Sequence, residues 1–362
     1  MMYKSDDIRK IIRDVLLPIV GKKCALFNLP YHDNIGDVLI WEGEEAFFKD
    51  NDIDCVGHFS IYSFDQFQFG PEVTICIHGG GHIGDTWRGF QLEINKIVQS
   101  YPNNRIVIFP QSVYYKDIKC AQFDSELFGT HHDLFICARD RMSFDFLRRF
   151  FKNTILLVPD MALYIGQKKE EEQSGKKLFL KRSDKEAVDL FKFSMDGLEI
   201  HDWPTVEYVY TAKSRVLITK GDRIRRKLLR IGMKLAPRIP VFCFLERRVI
   251  ESLQSGNYDI GTKWRICYDE MNYLFYLNRF KLNGRLNRVI DWFANTCFRP
   301  ITVSYGIDFI NQYDVVYTTR LHGGILSMIL GKTCYFVDNS NHKISSFYNT
   351  WSEYLGDDVF MV

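Results

Sequence analysis

The sequence predicts an α/β fold in which parallel strands alternate with helices, and two observations support this prediction. Short runs of β-branched and aromatic residues recur along the chain, separated by segments with apolar residues at helical spacing. Polar residues and glycines follow most of these runs directly, at the sheet edge where open α/β proteins bind ligands. The pattern therefore predicts doubly wound parallel sheets with a site at the carboxyl ends of their strands.

The composition is that of a globular protein. The chain has 362 residues, a formal net charge of +2 and 46% hydrophobic residues, which is enough for two domains. A charge this close to balance argues against nucleic acid as the main partner. The nine cysteines contain no CxxC pair and indicate free thiols in a reducing compartment. Because there is neither a signal-peptide pattern nor an apolar run of ~20 residues, we expect a cytoplasmic protein.

The first domain is predicted over residues 1–167. Its strands are predicted at residues 22–29, 73–77, 105–109, 134–138 and 155–158. Helices are predicted at residues 8–20, 38–49 and 144–151, and a further helix ends near residue 100. The charged, turn-rich residues 168–175 are the predicted linker to the second domain.

The loop after the first strand contains Asn34, Gly36 and Asp37. Asn34 and Gly36 suit a turn with unusual backbone angles. Asp37 has two interpretations: it either caps the following helix or contacts a hydroxyl of a ligand.

A glycine-rich turn, Gly79-Gly80-Gly81, follows the second strand and would let a ligand approach the backbone closely. Its spacing fits neither the dinucleotide fingerprint nor a P-loop. Because the glycines separate His78 from His82, a helical metal-binding pair is not expected, and no metal site is predicted.

The second domain is predicted over residues 176–351, followed by a tail at residues 352–362. Strands are predicted at residues 177–180, 315–318 and 333–337, and helices at residues 325–330 and 344–351. Arg182 follows the first of these strands, where Ser183 and Glu186 have the spacing of a capping box.

Arg320 and His322 lie between a predicted strand and a predicted helix. Backbone amides at such a helix start, together with a guanidinium fork, favour a phosphate or a carboxylate. Histidine can donate or move a proton near neutral pH. In the alternative interpretation, Arg320 makes a structural ion pair and His322 caps the turn.

A basic, mostly helical insertion is predicted at about residues 215–300. Over residues 215–250, cations alternate with apolar residues at near-helical spacing. This composition is typical of a helix on an anionic membrane surface, and equally of a solvated basic face.

Together, the loop sequences resemble the polysaccharide pyruvyl transferase family over about residues 24–184 and 300–351. The residues that carry the resemblance are Asn34-Ile35-Gly36-Asp37, Gly79-Gly80-Gly81, Phe109-Pro110-Gln111-Ser112, Ala138-Arg139-Asp140 with Ser143, Pro159-Asp160, Arg182-Ser183-Asp184, Thr319-Arg320-Leu321-His322-Gly323, and Asp338-Asn339 with Lys343 and Trp351. The chain departs from the family pattern at Thr319, where the family usually has Asp, and over residues 215–300. Because residues 215–300 differ from the family pattern, the sequence defines the identity of the acceptor less closely than that of the donor.

The resemblance implies two Rossmann-like domains with parallel sheets facing a cleft, as in GT-B enzymes. It implies transfer of pyruvate from phosphoenolpyruvate, without a cofactor, onto a sugar of a cell-surface polysaccharide or its lipid-linked precursor. The product would be a ketal that bridges two hydroxyls. By the same resemblance, Arg182, Arg320 and His322 match the positions that hold the donor.

Further site residues are predicted on both sides of this cleft. Gly323, Asn339 and Lys343 lie on the donor side. The predicted acceptor side consists of Asn34, Gly36, Asp37, Gly80, Gly81, Gln111, Ser112 and Arg139. The predicted catalytic residues are His322, as a general acid or a phosphate ligand, and Asp37, as the first candidate for the base ahead of Asp160 and Asp338.

Two other functions fit parts of the pattern. The same sheet edge could hold the diphosphate of a nucleotide sugar in a GT-B glycosyltransferase. The chain could also be a catalytically silent assembly partner, held at the inner face of the membrane by residues 215–250.

Overall fold

The computed structural model describes residues 3–60, 63, 67–167, 174–184, 186–187, 197–211, 257–278, 285–338 and 341–362. The basic stretch at residues 215–250, most of the predicted linker and Asn339 lie outside these residues. The predicted α/β fold with two parallel sheets is confirmed. Among the described helices, none is both long and apolar enough to cross a membrane.

The first sheet has seven described strands, and every pairing between them is parallel. The strands are β1 (Lys23–Phe27), β2 (Asp54–Phe59), β3 (Thr74–Ile77), β4 (Gly80–Gly84), β5 (Ile106–Tyr114), β6 (Leu134–Ala138) and β7 (Thr154–Leu157). Their order is β2-β1-β3-β5-β6-β7, with β4 paired to β5 beside this path. The helices are α1 (Ser5–Val20), α2 (Ile35–Asp50), α3 (Arg88–Ser100), α4 (Ile118–Gly129) and α5 (Arg141–Phe150), and a 3-10 helix spans Met161–Ile165.

The second sheet has the strand order β12-β11-β10-β8-β9, again all parallel. Its strands are β8 (Lys177–Leu180), β9 (Leu198–His201), β10 (Val315–Thr318), β11 (Thr333–Phe336) and β12 (Val359–Met361). The helices described in this half are α6 (Pro204–Thr211), α7 (Ile260–Asn278), α8 (Arg285–Phe293), α9 (Arg299–Asn311), α10 (Leu321–Ile329) and α11 (Lys343–Leu355), with a π-helical turn at Ala294–Phe298.

Four of these strands are not predicted by the sequence. Strand β2 is a partly exposed edge, and β9 is short and half-buried, so neither has a continuous apolar run. Strand β4 occupies part of the segment expected to be a glycine turn. Gly80 and Gly84 have φ of 132° and 139°, and such angles favour glycine. The strand therefore has few of the β-branched and aromatic residues by which a strand is recognised in a sequence. Strand β12 lies in the segment expected as a tail and extends the second sheet beside β11.

Two helix starts also differ from expectation. Helix α2 begins at Ile35, and its N-cap is Asn34, whose Oδ1 accepts a hydrogen bond from the Gly36 amide at 3.0 Å. Asp37 therefore lies in the first turn, and its interpretation as the cap is wrong. Helix α10 begins at Leu321, so Arg320 is its N-cap residue and His322 lies in its first turn.

Helices α7 to α9 pack against the first domain as well as the second. The Tyr31 hydroxyl donates to Asp291 Oδ1 at 2.9 Å, and Arg299 pairs with Glu42 of α2. A Cβ on Gly306 would lie 2.6 Å from Ile35, so α9 lies directly on the start of α2. One buried apolar cluster therefore includes side chains of both halves.

The contact between α2 and the 3-10 helix has no room for a methyl group at Gly43, where a Cβ would lie 1.8 Å from the Met161 carbonyl oxygen. We expect Gly43→Ala to lower the free energy of unfolding by roughly 1–3 kcal/mol or more, because backbone would have to move. Gly89→Ala is the matched control, since Gly89 also lies in a helix but a Cβ there would meet nothing within 4 Å. The control should be neutral or stabilising by up to about 1 kcal/mol. Urea denaturation measures both, and equal stabilities would contradict this account.

Candidate functional site

A cavity of about 310 Å³ lies between the two domains, where the carboxyl ends of both sets of parallel strands converge. First-domain residues reach it from β4 and from the segments that follow β1, β4 and β6. Second-domain residues reach it from the loops after β8, β9, β10 and β11. The volume is at the small end of the range for small-molecule sites, roughly 300–1,000 Å³.

Most of the predicted site residues line this cavity. Those that do are Asn34, Asp37, Gly81, Arg139, Arg182, Arg320, His322 and Lys343. Gly36, Gly80, Gln111, Ser112 and Gly323 are not among its lining residues. Of these, Gln111 supports the glycine segment: its Nε2 donates to the His78 carbonyl at 2.8 Å, and its Oε1 accepts from the His82 amide at 3.0 Å.

Gly323 has a packing role in this structure. A Cβ there would lie 2.4 Å from Leu180 and 2.8 Å from the Thr318 hydroxyl, so glycine lets α10 lie close to β8 and β10. Its amide donates to the Arg320 carbonyl at 3.0 Å.

Arg139, Asp160 and His322 form a buried charged cluster that joins the two domains. Arg139 Nη1 lies 2.7 Å from Asp160 Oδ2, and His322 Nε2 lies 3.3 Å from the same oxygen and 3.4 Å from Arg139 Nη1. Burial raises the pKa of Asp160, but His322 and Arg139 outweigh burial and hold it below its usual range. Arg139 was predicted on the acceptor side, yet it lies beside His322 of the donor side.

Further contacts fix Arg139. The Ser112 hydroxyl accepts from Arg139 Nε at 2.9 Å and donates to Asp140 at 2.7 Å. The Trp351 indole of the second domain donates to the Arg139 carbonyl at 2.8 Å. The first domain thus holds the Arg139 guanidinium, and the second domain holds its backbone.

Arg320 combines the two interpretations that the sequence left open. It makes two hydrogen bonds to Asp202, one of them at 2.7 Å between Nη2 and Oδ2, and it also lines the cavity. Its Nη2 lies 3.8 Å from Asp184 Oδ2. Arg182 binds both oxygens of the same carboxylate through Nε and Nη2, at 2.7 and 2.9 Å. Burial raises the pKa of Asp184, but Arg182 outweighs it, so the carboxylate stays ionised between two arginines.

The capping box predicted for Ser183 and Glu186 is wrong. The Ser183 hydroxyl donates to Asp202 at 2.6 Å, and the Glu186 amide donates to Asp184 Oδ1 at 3.0 Å. The Glu186 carboxylate instead accepts hydrogen bonds in the cavity wall. Its partners are Arg182 Nη1 at 2.6 Å, Lys343 Nζ at 3.2 Å and the Trp87 indole at 3.1 Å. Trp87 belongs to the first domain, so Glu186 also joins the two halves.

Sequence reasoning missed Asp202, Glu186 and Trp87 as site residues. Asp202 follows β9, whose half-buried pattern gives no clear strand signal. It could have been found only by placing β9 beside β8. Glu186 had one available signal, its position in the first loop of the second domain, but capping was the simpler interpretation.

The start of α2 forms the first-domain side of the cavity. Asn34 Nδ2 donates to Asp37 Oδ2 at 2.8 Å, and His32 Nε2 lies 3.5 Å from the same oxygen. Burial opposes ionisation of Asp37, but His32, His82, His322 and His78 outweigh burial and lower its pKa to about 2. A Cβ on Gly36 would lie 2.7 Å from His322 Nδ1, so a glycine here lets α2 approach the second domain closely.

The glycine segment beside α2 rests on a buried pair. His78 Nδ1 lies 2.7 Å from Glu44 Oε2, and the Gly79 amide donates to Glu44 Oε1 at 2.9 Å. Among the described residues, no three or more His, Cys, Asp or Glu side chains are grouped so as to hold a metal ion.

Comparison with known proteins shows which protein family the chain resembles. The family model "Polysaccharide pyruvyl transferase" matches residues 34–253 and 264–341. The chain is 29% identical to "Putative pyruvyl transferase EpsO" of Bacillus subtilis (strain 168), over 93% of this chain and 88% of that protein. It is also 29% identical to "Pyruvyl transferase 1" of Schizosaccharomyces pombe, over 40% of this chain and 39% of that protein.

One solved structure resembles the whole chain. It is that of a functionally uncharacterized protein of Klebsiella pneumoniae, with a TM-score of 0.55 and 17% identity over 98% of each chain. This likeness supports the fold alone.

The lowered pKa of Asp37 predicts a pH-dependent contribution to stability. Its usual pKa is near 3.8 and its folded-state pKa is about 2, so the contribution is full above pH 4 and is lost as the pH falls towards 2. We expect Asp37→Asn to lower the free energy of unfolding at pH 6 by about 2 kcal/mol, and by less at pH 3. Exposed Asp145 provides the control, Asp145→Asn, which should change little at either pH. Urea denaturation at both values measures this, and an effect of Asp37→Asn that is the same at pH 6 and pH 3 would contradict it.

Proposed function

The chain belongs to the polysaccharide pyruvyl transferase family, and on this premise we propose that it transfers pyruvate from phosphoenolpyruvate onto two hydroxyls of one sugar. The acceptor would be a cell-surface polysaccharide or its lipid-linked precursor. No cofactor takes part in this proposal. Peripheral membrane contact through residues 215–250 belongs to the same proposal, because a lipid-linked acceptor would be presented at the inner face of the membrane.

The observation that carries the proposal is the presence of two pairs of cations around one cavity. Arg139 Nη2 and Lys343 Nζ come from different domains, and both lie within 3.6 Å of the place where a Cβ on Gly81 would stand. Arg182 and Arg320 form the second pair, and both contact Asp184. Phosphoenolpyruvate carries a phosphate and a carboxylate on one carbon. One pair for each anion would account for both, since a guanidinium fork matches either group.

The carboxylates among these cations support binding in a fixed geometry. Asp160, Asp184 and Asp202 each hold an arginine by at least one hydrogen bond. Side chains held in this way need little reorganisation when charge develops in a transition state. Glu186 binds both Arg182 and Lys343, and therefore lies between the two pairs.

The proposed reaction converts phosphoenolpyruvate and two sugar hydroxyls into one ketal and one phosphate. A sugar hydroxyl attacks C2 of phosphoenolpyruvate while C3 gains a proton, and the C2–O bond to phosphate then breaks. The second hydroxyl attacks the resulting oxocarbenium ion and closes the ketal. Of the two hydroxyl protons, one is consumed at C3 and one leaves with phosphate. His322 is the proposed proton donor to C3, because it lines the cavity and its Nε2 lies 3.3 Å from the Asp160 carboxylate.

Asp37 fits a different role from the base expected at first. A carboxylate with a pKa of about 2 is a weak proton acceptor near neutral pH. Its permanent negative charge suits it to accept a hydrogen bond from an acceptor hydroxyl and to stabilise an oxocarbenium ion.

The function is tested by incubating the protein with phosphoenolpyruvate and a panel of p-nitrophenyl glycosides of hexoses. We expect phosphate release that depends on the glycoside, with one phosphate for each product that gains the mass of pyruvic acid less one water. Stabilisation against heat by UDP-sugars and none by phosphoenolpyruvate would contradict the proposal and favour a glycosyltransferase.

The donor site is tested in the same assay by Lys343→Met, which removes one cation of the interdomain pair. A lost charge-assisted hydrogen bond is worth about 1.5–3 kcal/mol, so KM for phosphoenolpyruvate should rise by about tenfold to a hundredfold. Lys332→Met is the matched control: Lys332 is also a buried lysine of the second domain, but it lies before β11 and reaches the Asn311 carbonyl. Equal effects of the two variants would contradict the assignment.

A further inference from the structure

His82 is a buried histidine of the cavity lining that has no role in the reaction proposed above. It is 7% exposed, and its Nδ1 is fully buried without a hydrogen-bond partner among the described residues. Most buried polar groups are paired, so an unpaired ring nitrogen in a residue that lines the cavity calls for a role.

The position of the His82 ring is fixed on two sides. The ring stacks on Phe90 of α3, with centroids 4.6 Å apart and planes 13° apart. Its backbone amide donates to Gln111 Oε1 at 3.0 Å. His82 Cε1 and Asp37 Oδ1 lie 3.8 and 3.9 Å from the place where a Cβ on Gly80 would stand. The absent side chain thus leaves space between the imidazole and the carboxylate.

We propose that His82 is a catalytic base that accepts the proton of the attacking acceptor hydroxyl, while Asp37 holds the neighbouring hydroxyl. The inference rests on the proposed function and names the acceptor side of the same site. The hydroxyl O–H bond breaks towards His82 as the O–C2 bond forms. The proton on His82 then passes to the phosphate as the C2–O bond breaks. His322, which gives its proton to C3, regains one from the second hydroxyl.

Four carboxylates of the site are less suited to this step. Burial raises the pKa values of Asp37, Asp160, Asp184 and Glu186, but their cationic neighbours outweigh it and lower all four. His82 differs from them because burial lowers its pKa to about 4, so its imidazole is neutral and unprotonated near neutral pH.

The charges around His82 make its basicity depend on the donor. Burial is the largest influence on it, and His78, His32 and Lys343 lower its pKa further, while Asp37 raises it. In the proposed binding mode, phosphoenolpyruvate would place one of its two anionic groups near Lys343 and offset the lowering effect of that cation. The imidazole becomes a stronger base when the donor is present, which is when a proton acceptor is required.

The test is the uptake of protons on donor binding, measured by titration calorimetry with phosphoenolpyruvate in two buffers of different ionisation enthalpy. At pH 5.5 the wild type should take up more protons than His82→Gln, by up to about one proton per donor bound. His322 and His32 are present in both proteins, so the difference in proton uptake reports on the loss of the His82 imidazole. Equal uptake by the two proteins would overturn the proposal.

A transfer assay gives the second measurement. We expect His82→Gln and His82→Asn to lower kcat by roughly 10²–10⁴-fold while KM for phosphoenolpyruvate stays within about threefold. In His82→Ala, added imidazole should restore part of the rate. Exposed His132 provides the control, His132→Gln, with unchanged kcat. A loss below tenfold in both conservative variants, or an alanine variant that imidazole does not rescue, would overturn the role as a base.

Different results would contradict the proposed function and the role of His82. A wild type that neither binds phosphoenolpyruvate nor releases phosphate would overturn the proposed function and this inference with it. A wild type that transfers pyruvate as fast as its His82 variants would overturn only the role of His82.

Discussion

The site depends on a cluster of three buried ionisable side chains that come from both domains. Arg139 and Asp160 belong to the first domain and His322 to the second, and all three are less than a tenth exposed. Such groups are tolerated in an interior only when they are paired, because each loses its hydration. Separating the domains would remove His322 from Asp160, which would keep only Arg139 and the Ala162 amide as partners. The charged groups of the site are therefore fully paired only when the two domains are in contact.

Helix packing around this cluster has the same consequence. Gly36 lets the start of α2 approach the His322 ring, and hydroxyls of α11 accept from the first amides of α5: Arg141 donates to Thr350 and Met142 to Ser346. These contacts place Lys343, the first residue of α11, opposite Arg139 across Gly81. A cation of each domain thus reaches the same point of the cavity.

Local sequence predicts the parts of the molecule that depend on neighbouring residues. The strand–loop–helix unit around Arg320 is recognisable because an apolar run, a turn and a helical pattern follow one another directly. Asp202 and Glu186 are not predicted as site residues, because their roles depend on partners elsewhere in the chain: Asp202 binds Arg320 across 118 positions and Glu186 binds Lys343 across 157. The position of Arg139 beside His322 is not predicted for the same reason, because 183 positions separate the two residues. Strand β4 is not predicted for a different reason. Its positive φ angles require glycine, a residue of low β-propensity.

The central claim is that one small molecule with two anionic groups binds between the two cation pairs. The measurement that tests it most directly is a crystal structure of the protein with phosphoenolpyruvate bound. Our account predicts one anion within hydrogen-bonding distance of Arg139 and Lys343, and the other within hydrogen-bonding distance of Arg182 and Arg320. The molecule bound elsewhere, or held by one domain alone, would contradict the account.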